Sequence, residues 1–154
     1  LVSFVNRMGV CYLFKRTKPP RLYDMVKGAD STERRGFLLR WCEEAHLKGN
    51  IFLTVDEGGS LLVMSIGRFR ELYPIRMGIK TTKDEKRILG ALRHPMPTPE
   101  IRRRVGLPAL RFDEALLGLR YKMRITMVGV TKVSRTKHVN LFAKIRKLTP
   151  HHPD

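Results

Sequence analysis

The steadiest alternation of apolar and polar positions lies between residues 82 and 147. Thr82-Lys83-Asp84-Glu85 has the form of a capping box, a hydroxyl at the N-cap and a carboxylate three residues on that reaches back. It predicts a short helix with Ile88, Leu89 and Leu92 inward, ended by Pro95 and Pro97. Thr98-Pro99-Glu100 predicts another helix, with Thr98 at the N-cap and Pro99 at the first helical position. Gly106 closes it and Pro108 opens a third. There Phe112, Ala115, Leu116, Leu119 and Met123 recur at steps of three and four and share one face. Ile125–Val130 and Val139–Phe142 read as strands joined by a polar, basic loop from Thr131 to His138.

The earlier part of the chain gives a looser version of the same order. Residues 2–8 predict a short helix broken at Gly9, followed by an extended piece. Lys15 to Pro20 is a basic, proline-closed loop. A short helix is expected from Pro20 to Lys27, with Leu22, Tyr23 and Val26 inward and Gly28 as its stop. Asp30 or Ser31 caps a longer helix to about Lys48, with Phe37, Leu38, Trp41, Ala45 and Leu47 as its apolar set. Trp41, the single Trp, is expected to anchor the core. Residues 51–55 and 60–66 flank Asp56-Glu57-Gly58-Gly59, a hairpin signal. Gly67 to Leu72 predicts a helical turn, with Pro74 and Gly78 marking the boundary to the second half.

Each half thus runs short helix, longer helix, hairpin, and Arg35–Trp41 loosely parallels Arg111–Leu116. The expected fold is α+β and mostly helical, with tandem winged helix-turn-helix units whose wings are β-hairpins. A degenerate N-terminal unit is expected over residues 1–79, a C-terminal unit over 80–148, and a tail over 149–154.

Charge adds a functional direction. The net charge is +17, a self-repelling excess that points to a polyanionic partner. Residues 1–79 hold 13 basic and 8 acidic side chains, whereas 80–154 hold 18 and 6, so the excess sits on the second half. The first hairpin has an acidic tip, Asp56 and Glu57, which would repel phosphate and suits a protein partner. No run of about 18 apolar residues occurs, so no membrane span is expected. The first residues lack a basic leader and a cleavage site, so no signal peptide is expected. Leu1 stands where an initiator Met would, as in a fragment, a trimmed chain or one begun at an unusual start codon. Two isolated cysteines, Cys11 and Cys42, point to reduced thiols and a cytoplasmic protein, nucleoid- or ribosome-associated. The absence of Gln beside abundant Arg and Lys resembles thermophile composition, a bias that genomic base composition also produces.

The candidate nucleic-acid-binding residues are Arg102, Arg103, Arg111, Arg120, Lys122, Arg124, Lys132, Arg135, Lys137 and His138. Three consecutive residues cannot share one helix face, so at most two of Arg102 to Arg104 meet one phosphate track. Arg111 opens the third helix, where a base-edge or phosphate contact is expected as that helix enters the major groove. Arg120, Lys122 and Arg124 decorate the helix and its exit. Lys132, Arg135, Lys137 and His138 lie in the wing. Each alone reads equally well as a solvated surface charge, and their clustering carries the argument. No nucleophile elbow, phosphate-binding Gly loop, metal-ligand set or cofactor motif occurs. Asp113-Glu114 are adjacent on a helix and point apart, so they do not form a paired-carboxylate site. His151-His152 reads as a solvated chain end.

Phe4 to Phe14 followed by Leu22-Tyr23, together with Arg111 to Leu116 through Val128-Gly129-Val130, resembles the winged-helix DNA glycosylases of the AlkZ/YcaQ type. The resemblance implies tandem winged helices and duplex DNA binding. Those enzymes use a Gln-x-Gln or Gln-x-Asp motif at the flipped nucleotide. This chain has no Gln, so the resemblance supplies no catalytic residue and implies a short, non-catalytic relative. The expected function is non-enzymatic binding of nucleic acid, duplex DNA before RNA, in transcription, chromatin or repair. The alternatives are an RNA- or ribosome-associated protein and a glycosylase-like enzyme.

Overall fold

The computed structural model describes residues 1–15, 21–27, 30–132 and 138–145. These residues form an α+β protein, mostly helical, with six α-helices and two antiparallel three-stranded sheets. Two compact units divide the chain, residues 1–72 and 73–154, and the division falls inside helix α3 (Ile66–Met77). Among the described residues no helix is long and apolar enough to cross a membrane.

The first unit runs α1 (Val2–Met8), β1 (Val10–Tyr12), a 3-10 turn (Leu22–Met25), α2 (Ser31–Leu47), β2 (Phe52–Val55) and β3 (Leu61–Met64). Its sheet order is β1-β3-β2. Gly9 ends α1 at φ 76°, a conformation open to glycine, and so turns the chain directly into the sheet. Asp30 caps α2 by accepting the Glu33 N–H at 2.8 Å. The buried stripe of α2 is Leu38, Cys42, Ala45 and His46. Phe37 and Leu47, expected inward, are exposed, because Phe37-Leu38-Leu39 cannot all face one side of a helix. Trp41 is half-buried against the same core. The expected helix over Pro20–Lys27 is only the 3-10 turn, and Val26 is already extended.

Asp56 does not project from the hairpin tip. Its carboxylate accepts the Ser60 N–H at 2.8 Å, the Tyr12 hydroxyl at 3.0 Å and the Lys15 ammonium at 3.1 Å. The acid expected to repel phosphate is therefore engaged in holding β1 and the β2–β3 turn together.

The second unit contains the end of α3, then α4 (Lys83–Ala91), β4 (Met96–Pro97), α5 (Thr98–Val105), α6 (Ala109–Tyr121), β5 (Ile125–Lys132) and β6 (His138–Lys144). Its sheet order is β4-β6-β5. The capping box is present in full: Thr82 Oγ1 accepts the Glu85 N–H and Glu85 accepts the Thr82 N–H. Pro97, which with Pro95 is expected to stop the helix, instead joins Met96 in an edge strand on β6, a place where proline is tolerated. That pairing holds Pro97 extended, so Pro97 occupies the N-cap and α5 begins at Thr98, one residue earlier than its capping pattern suggested. Pro74 also lies within α3 rather than ending it. Only the bond to the residue 70 carbonyl is lost, and the last turn is held from outside. Arg76 donates to the Tyr121 carbonyl at 3.0 Å, and Arg124 donates to the Met77 carbonyl and, at 3.4 Å, to that of Ile79.

Glu85 shares a stripe of α4 with Ile88 and Leu92 and is as buried as they are. Lys122 donates to both of its oxygens, at 2.8 and 2.7 Å, and to the Lys80 carbonyl at 2.9 Å. Gly118 on α6 leaves the space: a Cβ there would lie 2.2 Å from Glu85 Oε1. The α6–β5 corner then closes with Met123 at φ 53°, Met123 N–H bonding the Arg120 carbonyl and Arg124 N–H that of Leu119. This is a Schellman turn with methionine where glycine is usual, and complete burial of Met123 offsets the strain.

Lys122→Met leaves a buried carboxylate unpaired and should cost about 3–5 kcal/mol in denaturant unfolding followed by circular dichroism, and Gly118→Ala should also destabilise despite alanine's helix preference. Adding Glu85→Met to Lys122→Met should recover much of the loss, and no recovery would contradict the pairing. Burial raises the Asp56 pKa, but the Ser60 N–H and the Lys15 and Tyr12 bonds together hold it below the ordinary value. A lowered folded-state pKa gives stability present above the unfolded value, near about 3.9, and lost as pH falls through the folded value. Asp56→Asn should flatten that acid limb in unfolding followed by Trp41 fluorescence.

Candidate nucleic-acid interface

A cleft of about 680 Å³ in the second unit lies between the first turns of α5 and the start of β6. Thr98, Pro99, Arg102, Arg103, His138, Val139 and Asn140 line it, and none of them is a carboxylate. The β4–β6 pairing sets this geometry, because it seats the start of α5 beside the hairpin. Lys132 faces His138 across the hairpin at the end where the loop leaves the sheet.

The structure sorts the ten candidate residues into distinct groups. The side chains of Arg103, Lys132 and His138 are exposed and make no ion pair or hydrogen bond among the described residues. Arg102 lies beside Arg103 in the cleft lining, stacks 4.9 Å from the Phe112 ring centre and pairs with Asp113 at 2.7 Å. Both partners of that pair are about half exposed, so it contributes about 1 kcal/mol at most and yields readily to a competing anion. Arg111 is held by Asp84 in a two-pronged pair at 2.8 and 2.7 Å, which ties α6 to the first turn of α4. Arg120 is drawn inward over Phe142, and burial lowers its pKa. Lys122 is buried on Glu85, and Arg124 binds the carbonyls at the end of α3, a usual place for a cation. These last two are inside the unit and away from the surface the sequence pattern suggested. Arg135 and Lys137 lie outside the described residues, as does the tail with His151 and His152.

The exposed face of α6 differs from the expected basic groove-reading helix. It carries Leu110 at 72% exposure, Leu117, Asp113 and Glu114, and its one arginine is held by Asp84. Glu114 makes no ion pair or hydrogen bond among the described residues. Such a face does not attract phosphate, whereas Arg103 on α5 and Lys132 at the root of the hairpin are exposed cations with unpaired side chains among the described residues.

Sequence reasoning missed Thr98 and Asn140 as cleft residues. Thr98 was read as a cap, and Asn140 as part of an apolar strand. Its alternation with Val139 and Leu141 was the available signal, since a polar residue between two apolar ones in a strand faces the other side. No protein-family model and no curated protein matches the chain.

The contrast between surface and interior arginines is measurable. Arg111→Ala removes an exposed pair and should cost no more than about 1 kcal/mol of unfolding free energy. Arg124→Ala leaves part-buried carbonyls at the end of α3 without their donor and should cost about 2 kcal/mol. Equal costs in denaturant titrations would contradict the assignment.

Proposed function

We propose that the chain is a non-enzymatic nucleic-acid-binding protein built from tandem winged helix-turn-helix units, with the α5–β6 cleft as its principal backbone contact. The observation that carries this reading is a cleft free of carboxylates, with Arg103 and His138 unpaired on its walls, in a chain of net charge +17. The order helix, strand, helix, helix, hairpin supports the winged-helix reading, as does β4 pairing with the last strand, β6. The first unit repeats that order and the same strand arrangement, with the 3-10 turn in place of its second helix. Resemblance to the AlkZ/YcaQ-type glycosylases fits this architecture, and the lack of Gln separates the chain from their chemistry.

Binding proceeds through phosphate neutralisation by Arg103 and Lys132, with Arg102 released from Asp113 to join them and His138 donating a ring N–H. Thr98 and Asn140 add neutral hydrogen bonds that fix register along the backbone. Duplex DNA is the leading ligand. Structured RNA is the second reading, favoured by the acidic exposed face of α6, which is poorly suited to a major groove and indifferent to a ligand recognised by its backbone.

Equilibrium binding to one duplex DNA and one folded RNA over a salt series tests this. Arg103→Ala with Lys132→Ala should reduce affinity by roughly tenfold or more and lower the salt slope by about 2. Arg111→Ala should leave both nearly unchanged. Tighter RNA binding at matched salt selects the second reading, and failure to bind either ligand rejects nucleic-acid binding.

A further inference from the structure

The first unit holds a cluster that this function does not use. A cleft of about 220 Å³ is lined by Phe14, Arg21, Tyr23, Ser31 and Arg35. The Phe14 and Tyr23 rings meet edge to face, with centres 6.2 Å apart. Guanidinium groups cover them: Arg35 lies 5.0 Å from the Phe14 ring centre, and Arg21 and Arg34 lie 4.9 and 4.8 Å from that of Tyr23. Arg21 is fixed by Asp24 at 2.8 and 2.9 Å and by the Phe14 carbonyl at 3.3 Å. Arg34 donates to the Asp30 carbonyl at 3.3 Å. Arg35 makes no hydrogen bond or ion pair among the described residues. Asp24 is on Arg21 and Asp30 caps α2, so neither carboxylate neutralises Arg35.

We infer that this cleft is a second phosphate-contact site, in which Arg35, with Arg21 and the Ser31 hydroxyl beside it, takes a phosphodiester of a nucleic-acid backbone. This rests on the nucleic-acid reading above and extends it to the first unit. Guanidinium groups already lie over the aromatic faces, so the rings orient the arginines and do not stack bases. An arginine already held over a ring loses little freedom when its fork meets two phosphate oxygens. The volume admits a phosphate group and excludes a base pair. In this unit the helix after the turn therefore presents a free arginine at its start, where α6 presents Leu110 and an arginine already bound by Asp84. The first unit, expected to face a protein partner, is on this account a nucleic-acid contact.

The test is duplex DNA binding by fluorescence anisotropy over a salt series, with Arg35→Ala, Arg35→Lys and Arg40→Ala compared. Arg40 is an exposed arginine on the same helix, about 140° around it by helical geometry, and controls for net charge. Arg35→Ala should weaken binding roughly five- to tenfold and lower the salt slope by about 1. Arg35→Lys, which keeps the charge without the fork, should fall between wild type and Arg35→Ala, and Arg40→Ala should change affinity less than about twofold. Equal effects of Arg35→Ala and Arg40→Ala, or no effect of Arg35→Ala on a wild-type chain that binds with a steep salt slope, overturn this site alone. A wild-type chain that binds no nucleic acid overturns this site and the functional reading together.

Discussion

The second unit depends on one buried carboxylate. Glu85 closes the capping box at Thr82, receives the Lys122 ammonium and fills the space left by Gly118. Three elements are thereby placed: the start of α4, the C-terminal end of α6 and the segment at Lys80. A buried ion pair contributes little net stability against an apolar replacement, but its loss on one side is costly, so it fixes a unique arrangement more than it adds free energy. The corner that follows it, with Met123 left-handed and Arg124 on the end of α3, extends the same constraint into β5. Once β5 and β6 are placed, β4 pairs with β6 and brings the first turn of α5 against the hairpin. The cleft is a consequence of that chain of contacts.

The first unit reaches the same element order by other means. Its hairpin is anchored by Asp56 on Tyr12, Lys15 and Ser60, and its core is closed by Leu38, Cys42 and Ala45 from α2. Burial pushes the Cys42 thiol up to about 12, which leaves it a small core residue and not a nucleophile. The two units thus share an order of elements but not their anchoring contacts.

Much of the fold was legible because it is written in local signals. The capping box at Thr82, the left-handed Gly106, the Asp30 cap and the Asp56–Ser60 turn all act within five residues. What was not legible depends on partners distant in sequence. Met96-Pro97 becomes a strand only because Leu141 and Phe142 of β6, far along the chain, lie beside it. Pro74 stays inside a helix because Arg76 and Arg124 hold its last turn. The candidate site suffered most, because a basic residue in sequence carries no sign of its counter-ion. Arg111, Lys122 and Arg124 look alike along the chain, yet Asp84, Glu85 and the Met77 carbonyl engage them. Arg103 and Arg35 stand out only after those partners are known.

The central claim is that nucleic acid is held at the α5–β6 cleft and not along the exposed face of α6. Residue-resolved amide shift mapping on titration with a short DNA duplex addresses it most directly, since it reads position without altering the protein. The account predicts the largest perturbations at Thr98, Arg103, His138, Val139 and Asn140, with Leu110, Asp113, Glu114 and Leu117 little changed. Perturbations concentrated on Leu110 to Leu117, with the cleft silent, would contradict it.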